Sequence, residues 1–131
     1  PGQAAMVELE RLKKGETMEG IKSVIYPVKD LAKAKELYRK LLGVEPYFNQ
    51  PFYVGFRVGD SQEIGLDPNG HTEGMTGSVS YWKVDDIQKA IKSFLAAGTA
   101  IHQDAKDVGG GILMATVKDI DGNPIGLIQL P

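Results

Sequence analysis

Chemistry in this chain must come from carboxylates, hydroxyls and a few nitrogen bases, because the sequence contains no cysteine. That composition excludes disulfide frameworks, thiolate zinc sites and thiol nucleophiles. The two histidines, His71 and His102, have no second histidine or carboxylate at ligand spacing on a shared strand or helix face. Glu63 and Asp67 do share one face of a predicted strand, but their spacing of four residues separates them by roughly 13 Å. One ion would need further ligands to span that distance, so we predict no metal site.

Other common functional signals are also missing from the sequence. The glycine run 108–111 lacks dinucleotide-binding spacing and precedes a strand instead of a helix. No serine lies in a nucleophile elbow. Fifteen Lys and Arg against seventeen Asp and Glu give a net charge of -2, which is not the footprint of a nucleic-acid-binding protein. No apolar run is long enough to cross a membrane, and no signal peptide is recognisable. We therefore expect a cytoplasmic protein whose partners include neither nucleic acid nor a membrane.

Two amphipathic helices are predicted, each preceded by one strand and followed by three. The first helix follows a strand at 21–28, with Asp30 as its N-cap and Gly43 at its end. The second follows a strand at 78–84, with Asp85-Asp86 as its cap and Gly98 at its end. The strands predicted after the helices are 44–48, 52–58 and 62–67 in the first half and 99–102, 112–117 and 124–130 in the second.

The two halves form an internal repeat. The strand-to-helix junction Val28-Lys29-Asp30-Leu31 matches Val84-Asp85-Asp86-Ile87, and Ile64-Gly65-Leu66 matches Ile125-Gly126-Leu127. This pattern predicts an α+β fold of two βαβββ modules. We place an N-terminal appendage at 1–18, the first module at 19–70, a linker at 71–77 and the second module at 78–131.

Several motifs fall in the order and spacing of a known family. They are Val28-Lys29-Asp30-Leu31-Ala32-Lys33-Ala34 with Tyr38 and Leu42-Gly43, Val84-Asp85-Asp86-Ile87 with Gly98, and Asp119-Ile120-Asp121-Gly122-Asn123-Pro124-Ile125. With these motifs the chain resembles the vicinal oxygen chelate superfamily, also called the glyoxalase/bleomycin resistance protein/dioxygenase superfamily. The last segment is similar to the family's Asp-Pro-Asp-Gly-Asn signature, with Ile120 in place of the proline. The resemblance implies mixed sheets that curl around a cavity, with the helices on the convex face.

The resemblance also implies where a metal would bind in this family. Metal-dependent members carry His, Gln or Glu ligands at four positions, which correspond here to Ser23, Gly65, Val79 and Gly126. Glycine and valine offer no donor atom, and a neutral serine hydroxyl is a weak ligand beside a carboxylate or an imidazole. We therefore expect a metal-free branch of the family and no cofactor.

Strand alternation predicts which side chains face the cavity and which face the helices. Ser23, Glu63, Gly65 and Asp67 are expected to face the cavity, whereas Trp82 is expected in the core. Because Tyr53 and Phe56 lie on opposite faces of one strand, one of them is also a core residue. The predicted ligand-binding residues are Tyr53, Phe56, Glu63, Asp67, Tyr81 and Lys83.

Three functions are compatible with these residues. The first is a metal-free binding or sequestering protein for an aromatic or amphipathic small molecule. The second is a lyase, isomerase or dioxygenase-like enzyme of the same fold with a lost or non-standard metal site, using Lys83, Glu63 or Asp67 as acid or base. The third is a dimeric structural module with a vestigial cavity. We favour the first, since no converging acid–base pair is visible, and the resemblance implies a homodimer.

Overall fold

The structure, a computed structural model, describes residues 18–131 and divides into two compact units. The first unit is residues 21–81, and the second combines residues 18–20 with 82–131. The predicted appendage 1–18 lies outside the described residues except for Met18, which packs against the core of the second unit. The elements are β1 (Ile21–Pro27), α1 (Leu31–Leu42), β2 (Phe48–Gln50), β3 (Tyr53–Val58), β4 (Gln62–Asp67), β5 (Val79–Lys83), α2 (Ile87–Ala97), β6 (Ala100–Asp107), β7 (Leu113–Lys118) and β8 (Pro124–Gln129).

Both helices begin and end as the sequence predicts. The Asp30 carboxylate accepts a hydrogen bond from the Lys33 amide at 3.0 Å, and Asp86 accepts from Lys89 at 3.1 Å. Each cap thus satisfies one amide that the helix itself leaves without a partner. Gly43 and Gly98 end the helices with φ of 70° and 112°, a left-handed conformation that glycine adopts without steric cost.

The first unit contains a mixed sheet with the strand order β2-β3-β4-β1. Strands β2, β3 and β4 pair antiparallel, whereas β1 pairs with β4 in parallel. Val54, Phe56 and Leu66 are fully buried between this sheet and α1. The α1 side chains packed against them are Leu31, Ala34, Tyr38 and Leu42.

The second unit repeats this plan around α2. Strands β6, β7 and β8 pair antiparallel in that order, and the Val84 amide donates to the Ile128 carbonyl. Its core residues are Val84, Ile87, Ala90, Ile91, Ala115 and Leu127. The α+β class, the two βαβββ modules and the mixed sheet are therefore confirmed, while a cavity enclosed by the sheets stays a prediction.

Two strand boundaries differ from the sequence-based expectation by more than two residues. The strand predicted at 44–48 is wrong, since the structure has β2 at Phe48–Gln50. Pro46 has no amide to donate and restricts Glu45 before it, so pairing starts only beyond the proline. The strand predicted at 99–102 extends to Asp107. Almost all residues of β6 are exposed. Its sequence therefore lacks the alternation of apolar and polar residues by which strands are predicted.

Across residues 18–131, neither helix has the length and apolar character that crossing a membrane requires.

Candidate functional site

One face of the first unit's sheet carries the polar and aromatic side chains predicted to form the site. Along β4, Ile64 and Leu66 pack towards α1, so Glu63, Gly65 and Asp67 alternate onto the opposite face. The register brings other strands' residues beside them. We call this surface the polar face, and its members are Ser23, Tyr53, Gly55, Arg57, Glu63, Gly65 and Asp67.

Glu63 is the centre of a hydrogen-bond network on the polar face. Ser23, directly opposite it on β1, donates its hydroxyl to Glu63 Oε1 at 3.0 Å. The Tyr47 hydroxyl donates to Glu63 Oε2. Ser23 is buried with only 2 % of its surface exposed, so this part of the network is shielded from water. Both carboxylate oxygens therefore already have a hydroxyl donor.

Two glycines lie opposite each other on β3 and β4, and each is covered by a tyrosine. A Cβ atom on Gly55 would lie 3.0 Å from Tyr47 Cε1, and one on Gly65 would lie 1.7 Å from the Tyr53 hydroxyl oxygen. The Tyr47 amide also donates to the Gly55 carbonyl at 2.9 Å. Any side chain at residue 65 would thus require Tyr53 to move.

The tyrosine hydroxyls of this region hold their protons strongly. Burial, followed by the nearby charge of Glu63, raises the pKa of Tyr53. Burial and the hydrogen bond to Glu63 raise the pKa of Tyr47 to about 12, although the Arg57 guanidinium, 4.6 Å above the ring, acts in the opposite direction. Burial, then the charges of Asp67 and Glu73, raise the pKa of Tyr81. At neutral pH all three hydroxyls are hydrogen-bond donors.

These pKa shifts predict a loss of stability in alkali. A tyrosine in the unfolded chain titrates near pH 10, whereas folded Tyr47 titrates near 12, so between these values the folded protein binds more protons. The free energy of unfolding should therefore fall as pH rises from about 10 to about 12. Urea unfolding at several pH values measures the fall, and absorbance near 295 nm follows phenolate formation.

A Tyr47→Phe variant is the control for this titration, because it removes one late phenolate signal and keeps the groups that raise the pKa of Tyr81. In Glu63→Gln, Tyr47 should titrate at lower pH, since the neighbouring charge is gone. If every tyrosine titrates near pH 10 in the folded protein, the network around Glu63 is not formed in solution.

The structure brings some of the predicted site residues together on one face of the first unit and places Phe56 in that unit's core. Tyr53 and Glu63 lie on the polar face, and Asp67 Oδ1 accepts from the Asn69 amide at 2.8 Å while its charge acts on Tyr53 and Tyr81. Phe56 is fully buried in the core against α1, so it is the core member of the Tyr53–Phe56 pair. The prediction that Phe56 binds the ligand is corrected accordingly. Lys83 belongs to the second unit, where its ammonium lies 4.0 Å from the Glu19 carboxylate.

Tyr47, Gly55 and Arg57 are not predicted by the sequence patterns. Tyr47 lies just before β2, within the segment 44–48 that the sequence patterns predict to be a strand. One signal could have found it: Gly55 lies in the interior of β3, and a glycine within a strand often marks the close approach of another group. Here that group is the Tyr47 ring.

The residues at the four positions where the resemblance places metal ligands do not fit a metal ion. The Ser23 hydroxyl is engaged with Glu63, and the Tyr53 hydroxyl occupies the space above Gly65. Val79, which is 5 % exposed, and Gly126 have no donor atom in their side chains. Nor does any group of three or more histidines and carboxylates within residues 18–131 come together in a way that could hold a metal.

Several solved structures share this fold at low sequence identity. One, described as the NAD-dependent benzaldehyde dehydrogenase from Legionella pneumophila, has a TM-score of 0.67 and 19% identity over 83% of this chain and 98% of that chain. Methylmalonyl-CoA epimerase from Mycobacterium tuberculosis has a TM-score of 0.66 and 19% identity over 87% and 89%. The Mn(II)-bound glyoxalase from Novosphingobium aromaticivorans has a TM-score of 0.64 and 18% identity over 86% and 39%. At such identities the likeness concerns the fold alone.

Sequence similarity gives the family. No curated protein has a sequence that matches this chain. The family model described as Glyoxalase/Bleomycin resistance protein/Dioxygenase superfamily matches residues 20–127, which cover most of both modules. The chain therefore belongs to the glyoxalase/bleomycin resistance protein/dioxygenase superfamily.

Proposed function

We propose that this chain is a metal-free small-molecule-binding or sequestering protein, whose ligand is aromatic or amphipathic and binds on the polar face. The observation that carries the proposal is the Tyr53 hydroxyl above Gly65. In the family's metal-dependent members this position carries a ligand side chain, as the resemblance implies. Here it is a glycine that makes room for a phenol, so the site offers hydrogen-bond donors and ring surface in place of a metal.

Aromatic side chains beside the polar face support an aromatic or amphipathic ligand. The Phe48 ring lies 6.1 Å from that of Tyr53 and 5.9 Å from that of Phe52, both in edge-on contact. Phe52 is 60% and Phe48 37% exposed, so the two contacting rings present apolar surface to solvent. Exposed apolar surface rimmed by polar groups is typical of binding sites.

Assembly and location complete the proposal. The superfamily resemblance favours a homodimer, and light scattering after size-exclusion chromatography measures its mass. A monomer at micromolar concentration would remove this part of the proposal without affecting ligand binding. We also propose that the protein acts in the cytoplasm, in line with its cysteine-free sequence.

Metal content and ligand-induced stabilisation test the proposed function together. Protein purified without added metal should contain no stoichiometric Zn, Ni, Mn or Fe by elemental analysis. In a thermal-shift screen, some planar hydrophobic compounds should raise the melting temperature, because a ligand that binds only the folded state stabilises it. Tyr53→Ala should abolish the shift. Tyr38→Phe, a change on the core-facing side of α1, should keep it. One equivalent of bound metal, or a screen with no stabilising compound, would contradict the proposal.

A second candidate is a metal-free enzyme, and the Glu63 network favours it. Each Glu63 carboxylate oxygen has a second lone pair beside its hydroxyl donor, so Glu63 can still accept a proton from a bound molecule and return it. Incubating each stabilising compound with the protein in D₂O and following its proton NMR spectrum separates the two candidates. Exchange of a carbon-bound proton, lost in Glu63→Gln, indicates an enzyme, and an unchanged spectrum indicates a binding protein.

A further inference from the structure

We infer that the Tyr53 hydroxyl is the specificity-determining hydrogen-bond donor of the polar face, and that it selects ligands bearing an uncharged acceptor oxygen, such as a planar ketone, over carboxylates. The inference rests on the proposed function and names the class of ligand that the site takes.

The first step concerns which donors on the polar face remain free for a ligand. Ser23 and Tyr47 both donate to Glu63, so their hydroxyl protons are engaged. Within residues 18–131, no hydrogen bond joins the Tyr53 hydroxyl to another group, although its oxygen lies over the bare backbone of Gly65. A half-buried donor without a partner gains most from a ligand that supplies an acceptor.

The second step concerns the form of that hydroxyl. Burial raises the pKa of Tyr53, and the charges of Glu63 and Asp67 raise it further. The phenol therefore stays protonated and donates across the physiological range. Its position is fixed by the strand pairing, because β3 and β4 place Tyr53 beside the Gly55–Gly65 pair.

The third step concerns charge. The charges of Glu63 and Asp67 both act on the Tyr53 hydroxyl, whereas the Arg57 guanidinium of the same face is stacked on the Tyr47 ring at 4.6 Å. A carboxylate bound to Tyr53 would face two like charges in a partly desolvated site. An uncharged carbonyl accepts the same hydrogen bond without that repulsion. The geometry thus distinguishes neutral from anionic ligands of the same shape.

Three naphthalenes of matched shape test this selectivity: 2-acetylnaphthalene, 2-ethylnaphthalene and 2-naphthoate. With the wild-type chain, calorimetry should show the tightest binding for the ketone. The ethyl compound should bind about tenfold more weakly, since it lacks the acceptor. The naphthoate should bind more weakly than the ketone despite its two acceptor oxygens.

Tyr53→Phe removes the hydroxyl and keeps the ring. It should weaken binding of the ketone about tenfold and leave binding of 2-ethylnaphthalene unchanged. Tyr38→Phe makes the same chemical change on the core-facing side of α1 and should alter the affinity for neither the ketone nor 2-ethylnaphthalene. Unchanged melting temperatures would show that both variants are folded.

The outcomes separate the inference from the proposed function. If the wild type binds the naphthalenes but Tyr53→Phe has no effect on the ketone, or the naphthoate binds best, the donor role of Tyr53 is overturned and the binding function stands. If none of the three compounds binds, the inference is overturned, and the wider thermal-shift screen then decides the proposed function.

Discussion

Replacing Phe56 with alanine is expected to lower the free energy of unfolding by about 3–5 kcal/mol, the range seen for large aromatic side chains removed from a packed core. Phe56 lies on β3, and its side chain is fully buried against α1 together with Val54 and Leu66. Its removal leaves a cavity that the surrounding strands fill only in part. Urea or thermal unfolding followed by far-UV circular dichroism measures the loss.

Two controls distinguish a core residue from a ligand-binding one. Phe56→Leu keeps most of the apolar volume and should cost clearly less than Phe56→Ala. Phe52→Ala removes the same ring from an exposed position and should change stability by about 0.5 kcal/mol or less. If Phe56→Ala is as stable as the wild type but fails to bind ligands, Phe56 belongs to the site and the core assignment is wrong.

Gly65→Ala is expected to destabilise the protein by about 1–3 kcal/mol, as over-packing does in a well-packed region. The new Cβ would lie 1.7 Å from the Tyr53 hydroxyl oxygen and 2.5 Å from Tyr53 Cζ, so the ring must shift. Ligand binding on the polar face should be lost with it, because the hydroxyl leaves its position. The free energy of unfolding and the thermal shift measure the two effects.

The same substitution should be harmless once Tyr53 is truncated. In a Tyr53→Ala background, Gly65→Ala is expected to be neutral or to stabilise by about 0.4–1 kcal/mol, because alanine restricts the unfolded chain more than glycine does. Gly77→Ala is the matched control, since no atom lies within 4 Å of its added Cβ. Equal costs of Gly65→Ala with and without the Tyr53 ring would show that the two residues do not touch.

Local signals predicted the elements of this chain well. Asp30 and Asp86 are recognisable as N-caps because a carboxylate before an apolar helical stripe satisfies free amides. Strand β4 matches its predicted bounds, 62–67, because Gly59 allows the turn before it and its apolar residues Ile64 and Leu66 share the face towards α1. β6 was underestimated because its exposed residues carry no alternation.

The site was only partly predictable, because it depends on which side chains meet across strands. Alternation places Glu63 and Gly65 on one face, but it gives no register, so the Ser23–Glu63 pair could not be foreseen. Tyr47 reaches Glu63 from outside any strand, so no periodicity points to it. The Tyr53–Phe56 ambiguity was inherent in the pattern, and only packing against α1 assigns Phe56 to the core.

The contact between Tyr53 and Gly65 also restricts the order in which mutations can accumulate in a lineage. A descendant that acquired glutamate at residue 65 first would carry an ill-fitting side chain beneath the phenol, while Ser23, Val79 and Gly126 would still offer no strong metal ligand. Shrinking residue 53 must come before any such gain. Gain of a metal site at these four positions would thus take several steps, and the first of them, the truncation of Tyr53, would remove the hydroxyl that we propose binds the ligand.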